Sequence, residues 1–215
     1  GTPTAAALGA ARSRLAPLGG QRAVLLATDG GPNCNFALSC GPDQCMINIE
    51  GGCPSDVENC CVEPGTPGNC LDRAATLQAV SALAADGMKV YVIGIPGSEA
   101  YGTLLDQMAI IGGTSRPDAS TRYYRVDDLG SLGDVFAEIG ASLVQCSFDL
   151  SDPPEELGLT NVYFGSEVLP QDAESGWVWV DEDTIALSDA ACDRLRSGQV
   201  SRVQIVSGCP TVVPL

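Results

Sequence analysis

The chain has 215 residues, a length that fits one or two domains, and 45% of them are hydrophobic, which is enough to form a core. It carries 27 acidic and 11 basic side chains and no histidine, for a formal net charge of −16 at pH 7. A surface this acidic repels nucleic acid and anionic lipid, so neither is an expected partner, and it suits a soluble protein, a cation-binding protein or a protein with a basic partner.

Helical and strand patterns alternate along the first two-thirds of the chain. Two continuous apolar runs, at 22–28 and 89–95, are typical of strands that are buried on both faces. The predicted elements are, in chain order, helix 4–18, strand 22–28, helix 71–86, strand 89–95, helix 101–111, strand 122–126 and a helix that begins at 127. This order predicts an α/β fold with a Rossmann-like parallel sheet flanked by helices.

Downstream of Cys146 the pattern changes to short extended runs separated by turn residues. The runs lie at 146–150, 160–164, 177–180, 184–187 and 202–206, with one short helix at 189–195. We therefore expect an α/β domain over 1–145 and a small β-rich domain over 146–215. A domain of about seventy residues gains needed stability from a disulfide, which Cys192 and Cys209 could supply.

The cysteines indicate the compartment. Their number is even and seven lie between Cys34 and Cys70, which predicts a disulfide-bonded, cysteine-rich insertion at 31–70 in an oxidising environment. Zinc is the weaker alternative, because the chain has no C-x-x-C pair and no histidine. The neighbours Cys60 and Cys61 should have different partners, since a bond between them would be strained. The candidate disulfide cysteines are Cys34, Cys40, Cys45, Cys53, Cys60, Cys61, Cys70, Cys146, Cys192 and Cys209.

Neither a membrane span nor an enzyme motif is present in the sequence. No run reaches the roughly 18 apolar residues that a spanning helix needs. The chain begins at Gly1 without a signal peptide, so we expect an export signal upstream that has been removed. Without histidine the usual Ser-His and Cys-His couples cannot form, and no phosphate-binding or nucleophile-elbow motif occurs. These features favour a secreted or cell-surface protein that is not an enzyme.

Three motifs, in this order along the chain, resemble those of a von Willebrand factor type A (integrin I-like) domain. Residues 1–4 (GTPT) open a helix and residues 25–30 (LLATDG) end a buried strand, as do the second and third elements of that family's metal-ion-dependent adhesion site. Residues 108–114 (MAIIGGT), followed by Tyr123 and Tyr124, are similar to the family's last strand-helix units. The resemblance covers about residues 1–144.

The resemblance implies a site for Mg²⁺, with Mn²⁺ or Ca²⁺ as alternatives, at the carboxyl edge of the sheet. Thr2 would supply a hydroxyl as a direct ligand, and Asp29 a carboxylate, directly or through water. The alternative interpretations are that Thr2 or Thr4 caps the first helix and that Asp29 is only a turn residue. The family's first element, Asp-x-Ser-x-Ser, does not occur in the sequence, so we expect a missing N-terminal segment of the same precursor to supply it.

By this resemblance the protein is an extracellular adhesion or ligand-binding module, and a carboxylate of its protein ligand would complete the metal's shell. The alternative is a structural, self-assembling surface or filament protein with an incomplete or vestigial metal site. The insertion at 31–70 is either a specificity loop or a decoration without a ligand. The C-terminal part, with Cys146, Trp177, Cys192 and Cys209, is similar to bacterial surface proteins of the myxobacterial type, which adds a location.

Trp177 and Trp179 alternate with valines and would lie on one face of a strand. Core packing is the first interpretation, and a carbohydrate or partner platform is the second. Several carboxylates are sequence neighbours in turn contexts, as at 127–128 and 181–183, which favours turns and helix caps over a catalytic pair.

Overall fold

The computed structural model describes residues 1–45, 56–63 and 65–210. Its contacts divide the chain into two compact units, Gly1–Val135 and Phe136–Leu215. The division lies inside the helix Leu132–Leu143, rather than after it at Cys146 where the sequence pattern changes. Within the described ranges, no helix is both long and apolar enough to cross a membrane.

The first unit contains a parallel sheet of three strands flanked by helices, as the alternating pattern predicts. Its elements are α1 (Thr4–Leu15), β1 (Ala23–Thr28), α2 (Arg73–Ala85), β2 (Lys89–Gly94), α3 (Gly102–Ile111) and β3 (Tyr124–Arg125), and α4 (Leu132–Leu143) begins in this unit. The strand order is β1-β2-β3 and both pairs are parallel, so all three strands end at the same edge of the sheet.

Strand β2 is central and carries the core of this unit. Its residues from Val90 to Gly94 are buried, as expected for a parallel strand with covered faces. Helices α2 and α3 pack against it and α1 packs against α2. Each buried aliphatic side chain contributes about 1.5–3 kcal/mol. Buried members of this core include Leu8, Val80, Leu83, Met88, Val90, Val92, Leu104, Leu105 and Met108.

The apolar run of strand β1 was expected to be buried on both faces, and this expectation is wrong. Leu25 is 45% exposed and Ala27 is also exposed, whereas Val24 and Leu26 pack against the core. The alternation has the period of two that a strand imposes, so one face of β1 is covered and the other is bare. In the described part of the chain β1 pairs with β2 alone and is therefore an edge strand.

The cysteine-rich insertion is cross-linked as predicted. Cys40 is bonded to Cys70 and Cys45 to Cys61. Cys60 is also disulfide-bonded, and since its neighbour is joined to Cys45 the two adjacent cysteines have different partners. Two other cysteines were also expected to be bonded. Of these, Cys53 lies outside the described residues, and Cys34 carries a free thiol, contrary to the expectation.

The second unit contains two antiparallel sheets of three strands each. Its elements are β4 (Ser147–Asp149), β5 (Thr160–Phe164), β6 (Glu167–Leu169), β7 (Trp177–Trp179), β8 (Thr184–Leu187), α5 (Asp189–Arg196) and β9 (Val203–Ser207). The sheet orders are β4-β8-β7 and β6-β5-β9. Strand β6 was not predicted. It pairs with β5 through a tight turn in which Gly165 has a φ of 61°, a conformation that favours glycine.

The core of the second unit includes Trp177, which is 1% exposed, and the disulfide between Cys146 and Cys192. The indoles of Trp177 and Trp179 meet edge to face with ring centroids 5.9 Å apart. Core packing is therefore confirmed for Trp177, and a carbohydrate platform built on it is wrong. The expected pairing of Cys192 with Cys209 is also wrong, because Cys209 carries an exposed free thiol.

Candidate functional site

The turn after β1 brings Asp29 to the carboxyl edge of the parallel sheet. The Thr28 hydroxyl accepts a hydrogen bond from the Gly30 amide at 3.2 Å and donates one to the Gly30 carbonyl at 2.8 Å. The Ile95 amide, just after β2, donates to the Thr28 carbonyl at 3.0 Å, so the two strand ends remain in register. Asp29 itself is exposed and its side chain takes no part in these bonds. The turn is therefore formed by Thr28, and the Asp29 carboxylate is left available to a ligand.

Thr2 is tied to the same edge by its backbone. It forms a parallel bridge with Pro32, its amide donates to Asn33 Oδ1 at 2.8 Å, and its carbonyl accepts from the Asn33 amide at 3.3 Å. Asn33 is only 1% exposed, so this anchor is well shielded from water. The start of the chain is thereby placed beside the segment that follows β1.

The Thr2 hydroxyl faces the turn that carries Asp29. A methyl group built on Gly30 would lie 3.9 Å from Thr2 Oγ1, with no other atom within 4 Å. Helix α1 has Pro3 as its N-cap residue and no side-chain capping bond, so neither Thr2 nor Thr4 caps it as the alternative interpretation proposed. Among the described residues the Thr2 hydroxyl has no hydrogen-bond partner of its own.

The Thr2 hydroxyl and the Asp29 carboxylate are suitable ligands for a hard divalent cation, but two ligands are too few to fill its coordination shell. A hydroxyl and a carboxylate are oxygen donors of the type that Mg²⁺ prefers, and Mg²⁺ takes about six of them. Two protein oxygens leave most of the shell to water or to other ligands. We therefore expect weak cation binding by this edge alone.

Sequence reasoning missed one residue that shapes this edge, Gly31. A methyl group on Gly31 would overlap the ring of Tyr101 and lie 2.9 Å from Leu71 Cδ1, and Tyr101 is only 7% exposed. Glycine in a Thr-Asp-Gly-Gly turn signals flexibility, but it gives no indication of a close contact with a residue seventy positions later.

We expect Gly31→Ala to lower the free energy of unfolding by about 1–3 kcal/mol, because the buried Tyr101 ring has little room to move. Gly30→Ala is the matched control, since its methyl meets only the Thr2 hydroxyl, at an ordinary contact distance. Urea unfolding followed by circular dichroism compares the two variants. Similar midpoints for both would contradict the tight contact at Gly31.

The carboxylates that are sequence neighbours are engaged in turns, as predicted. Asp128 accepts from the Gly130 amide at 3.1 Å, and Asp181 accepts from the Thr184 amide at 2.8 Å. Over the described ranges, the one group of three or more cysteine or acidic side chains close enough to share a metal is Cys40, Cys61 and Cys70, within 4.8 Å of one another. Their sulfurs belong to two disulfides and are not ligands in this state.

Comparison with known proteins found no matching family model, no matching curated protein and no matching solved structure. The contacts of Thr2, Asp29 and their neighbours are therefore the basis on which a function is proposed.

Proposed function

We propose that the first unit is part of a von Willebrand type A-like adhesion module that binds a protein ligand through a divalent cation. The main support is the placement of Thr2 and Asp29. Both lie at the carboxyl edge of a parallel sheet, the Thr2 hydroxyl faces the turn that carries Asp29, and neither side chain is used by that turn or by helix α1. In open α/β sheets this edge is where ligands bind.

In this proposal Thr2 is a direct ligand of Mg²⁺ and Asp29 binds it directly or through water. The cation would supply a positive centre that accepts a carboxylate oxygen from the protein ligand. The three described strands would form part of a larger Rossmann-like sheet, and the exposed face of β1 supports this, because Leu25 is left half uncovered. The remaining oxygen ligands would then come from a segment outside this chain.

A binding role is favoured over catalysis. The chain contains no histidine, so common acid-base and nucleophilic pairs cannot be built from it. The three disulfides with both partners described favour a protein that acts outside the cell or on its surface, because such bonds persist in oxidising compartments.

We expect Asp29→Ala to weaken the binding of Mn²⁺, used as a probe for Mg²⁺, by about tenfold, equivalent to about 1.4 kcal/mol. The physical reason is the loss of a negatively charged oxygen donor from the turn that the Thr2 hydroxyl faces. Isothermal titration calorimetry measures the affinity. Asp118→Ala is the matched control, because it removes the same charge from an exposed loop of the same unit. Equal affinity in the wild type and Asp29→Ala would reject the proposal.

The second candidate is a self-assembling surface protein, which the uncovered edge strand β1 favours. A strand whose outer edge is unpaired within the described residues, and which carries an exposed apolar residue such as Leu25, is a template for pairing with another chain. Light scattering after size exclusion separates the candidates. Polymers that persist in EDTA support assembly, whereas a monomer that needs a divalent cation to bind its partner supports adhesion.

A further inference from the structure

A cavity of about 590 Å³ lies between the cysteine-rich insertion and the start of α2. Its walls include Leu38, Leu71 and Leu77, and the disulfide between Cys40 and Cys70. The disulfide joins Cys40 to the end of the insertion at Cys70, just before α2, so the cavity belongs to a cross-linked part of the molecule. Neither Thr2 nor Asp29 lines it, so a ligand in this cavity would be independent of the proposed cation site.

Asp72 places a carboxylate in the wall of this cavity with no partner in the described chain. The residue is 8% exposed, its amide donates to the Pro32 carbonyl at 2.6 Å, and it is the N-cap residue of α2. An aspartate at this position usually accepts a hydrogen bond from the first turn. Here the backbone is at φ −82° and ψ 57°, outside the extended conformation of most caps, and the side chain accepts no such bond.

The same side chain also lines a second, smaller cavity of about 310 Å³, together with Asn35 and Ala75. Asp72 thus separates two open spaces and forms neither a hydrogen bond nor an ion pair through its side chain with the described residues. The Asp72 residue as a whole is more than nine-tenths buried, and an unpaired carboxylate in such surroundings favours a cation or a hydrogen-bond donor beside it. The cavity therefore offers an unpaired carboxylate to a positively charged group.

The size and lining of the larger cavity indicate an organic cation rather than a metal ion. A hard metal ion needs about six oxygens, and the charged groups here are Asp43, Asp72 and Arg73, with Asp43 and Arg73 exposed. The leucine walls suit an aliphatic stem, and the carboxylate suits the ammonium or guanidinium group at its end. The net charge of −16 would attract a basic protein towards the site.

We propose that this cavity binds a lysine or arginine side chain of a protein partner, with Asp72 as the counter-ion and Leu38, Leu71 and Leu77 around the aliphatic stem. Arg73 opposes the incoming charge from the rim of the cavity. The two acidic residues and this one basic residue leave the lining with a net charge of −1.

Two small probes test the proposal, Nα-acetyl-lysine methylamide and its uncharged analogue Nα-acetyl-norleucine methylamide. Titrations of the ¹⁵N-labelled chain by NMR are expected to show shifts at Leu71 and Leu77 with the lysine probe, and much weaker ones with norleucine. Asp72→Asn keeps the shape and removes the charge. This variant should lower the affinity for the lysine probe about tenfold and leave the affinity for the norleucine probe unchanged. Asp118→Asn, an equal charge change in an exposed loop, should alter neither.

A second variant keeps the test decisive if Asp72→Asn folds poorly. Arg73→Gln removes the opposing charge and should tighten the lysine probe about two- to fivefold. Equal binding of both probes, or unchanged lysine affinity in a folded Asp72→Asn variant, would overturn the proposal. Binding of acetate in place of lysine, abolished by Arg73→Gln, would overturn it too, because the site would then take anions.

Discussion

Replacing Gly176 by alanine is expected to lower the free energy of unfolding of the second unit by about 3 kcal/mol or more. A methyl group at this position would overlap the backbone carbonyl oxygen of Pro170 and lie 3.0 Å from Pro170 Cγ. The same carbonyl accepts a hydrogen bond from the Trp177 amide at 3.0 Å, and the Ser188 amide donates to the Gly176 carbonyl at 2.9 Å. The backbone at Pro170 and at Gly176 is thus held by hydrogen bonds, and moving it apart would break them.

Tryptophan fluorescence during urea unfolding measures this effect in the second unit alone, because both tryptophans of the chain lie in it. Gly158→Ala is the matched control. Gly158 lies in the same unit and a methyl group there would meet no atom within 4 Å. The close approach at Gly176 is refuted if the two variants unfold at the same urea concentration.

Removing the disulfide of the second unit should have an effect of similar size. The bond joins Cys146 to Cys192 across 46 positions of sequence. Closing a loop of that length restricts the unfolded chain by about 4 kcal/mol in the chain-entropy account. The double variant Cys146→Ala, Cys192→Ala is therefore expected to unfold at a much lower temperature, which calorimetry or tryptophan fluorescence can follow.

Cys209→Ala provides the control and at the same time tests the pairing. The structure leaves the Cys209 thiol free and exposed, so this variant should unfold like the wild type. The sequence alone suggested a bond between Cys192 and Cys209. If that bond exists, Cys209→Ala will destabilise the unit as much as the double variant does.

The sequence predicted the elements whose patterns are local. Strand β2 is an apolar run between turn signals, and helix α5 begins after a serine that caps it, with the Ala191 amide donating to Ser188 Oγ at 3.2 Å. Strand β6 was missed because its residues, Glu-Val-Leu, show no alternation, whereas the equally short β7 alternates Trp177, Val178 and Trp179. The solvent-exposed face of β1 was also missed. An apolar run has the same sequence pattern in a central strand and in an edge strand that lacks a neighbour.

The candidate sites also differ in whether a local sequence pattern indicates them. Thr2 and Asp29 could be selected because each lies in a short motif next to a predicted element. The cavity at Asp72 could not be predicted, because it depends on a disulfide between Cys40 and Cys70 and on how the insertion meets α2. An aspartate before a helix predicts a capping hydrogen bond. Only the structure shows that the Asp72 side chain makes no such bond.

The closeness of three sulfurs in the cysteine-rich insertion affects how the protein must be handled. If a reducing agent opens the bonds of Cys40, Cys61 and Cys70, their thiols lie within 4.8 Å of one another and become ligands for soft ions such as zinc or cadmium. A sample purified with dithiothreitol would then take up such ions at a place unrelated to Asp29. Measurements with hard cations therefore belong on oxidised material, with thiol content checked beforehand.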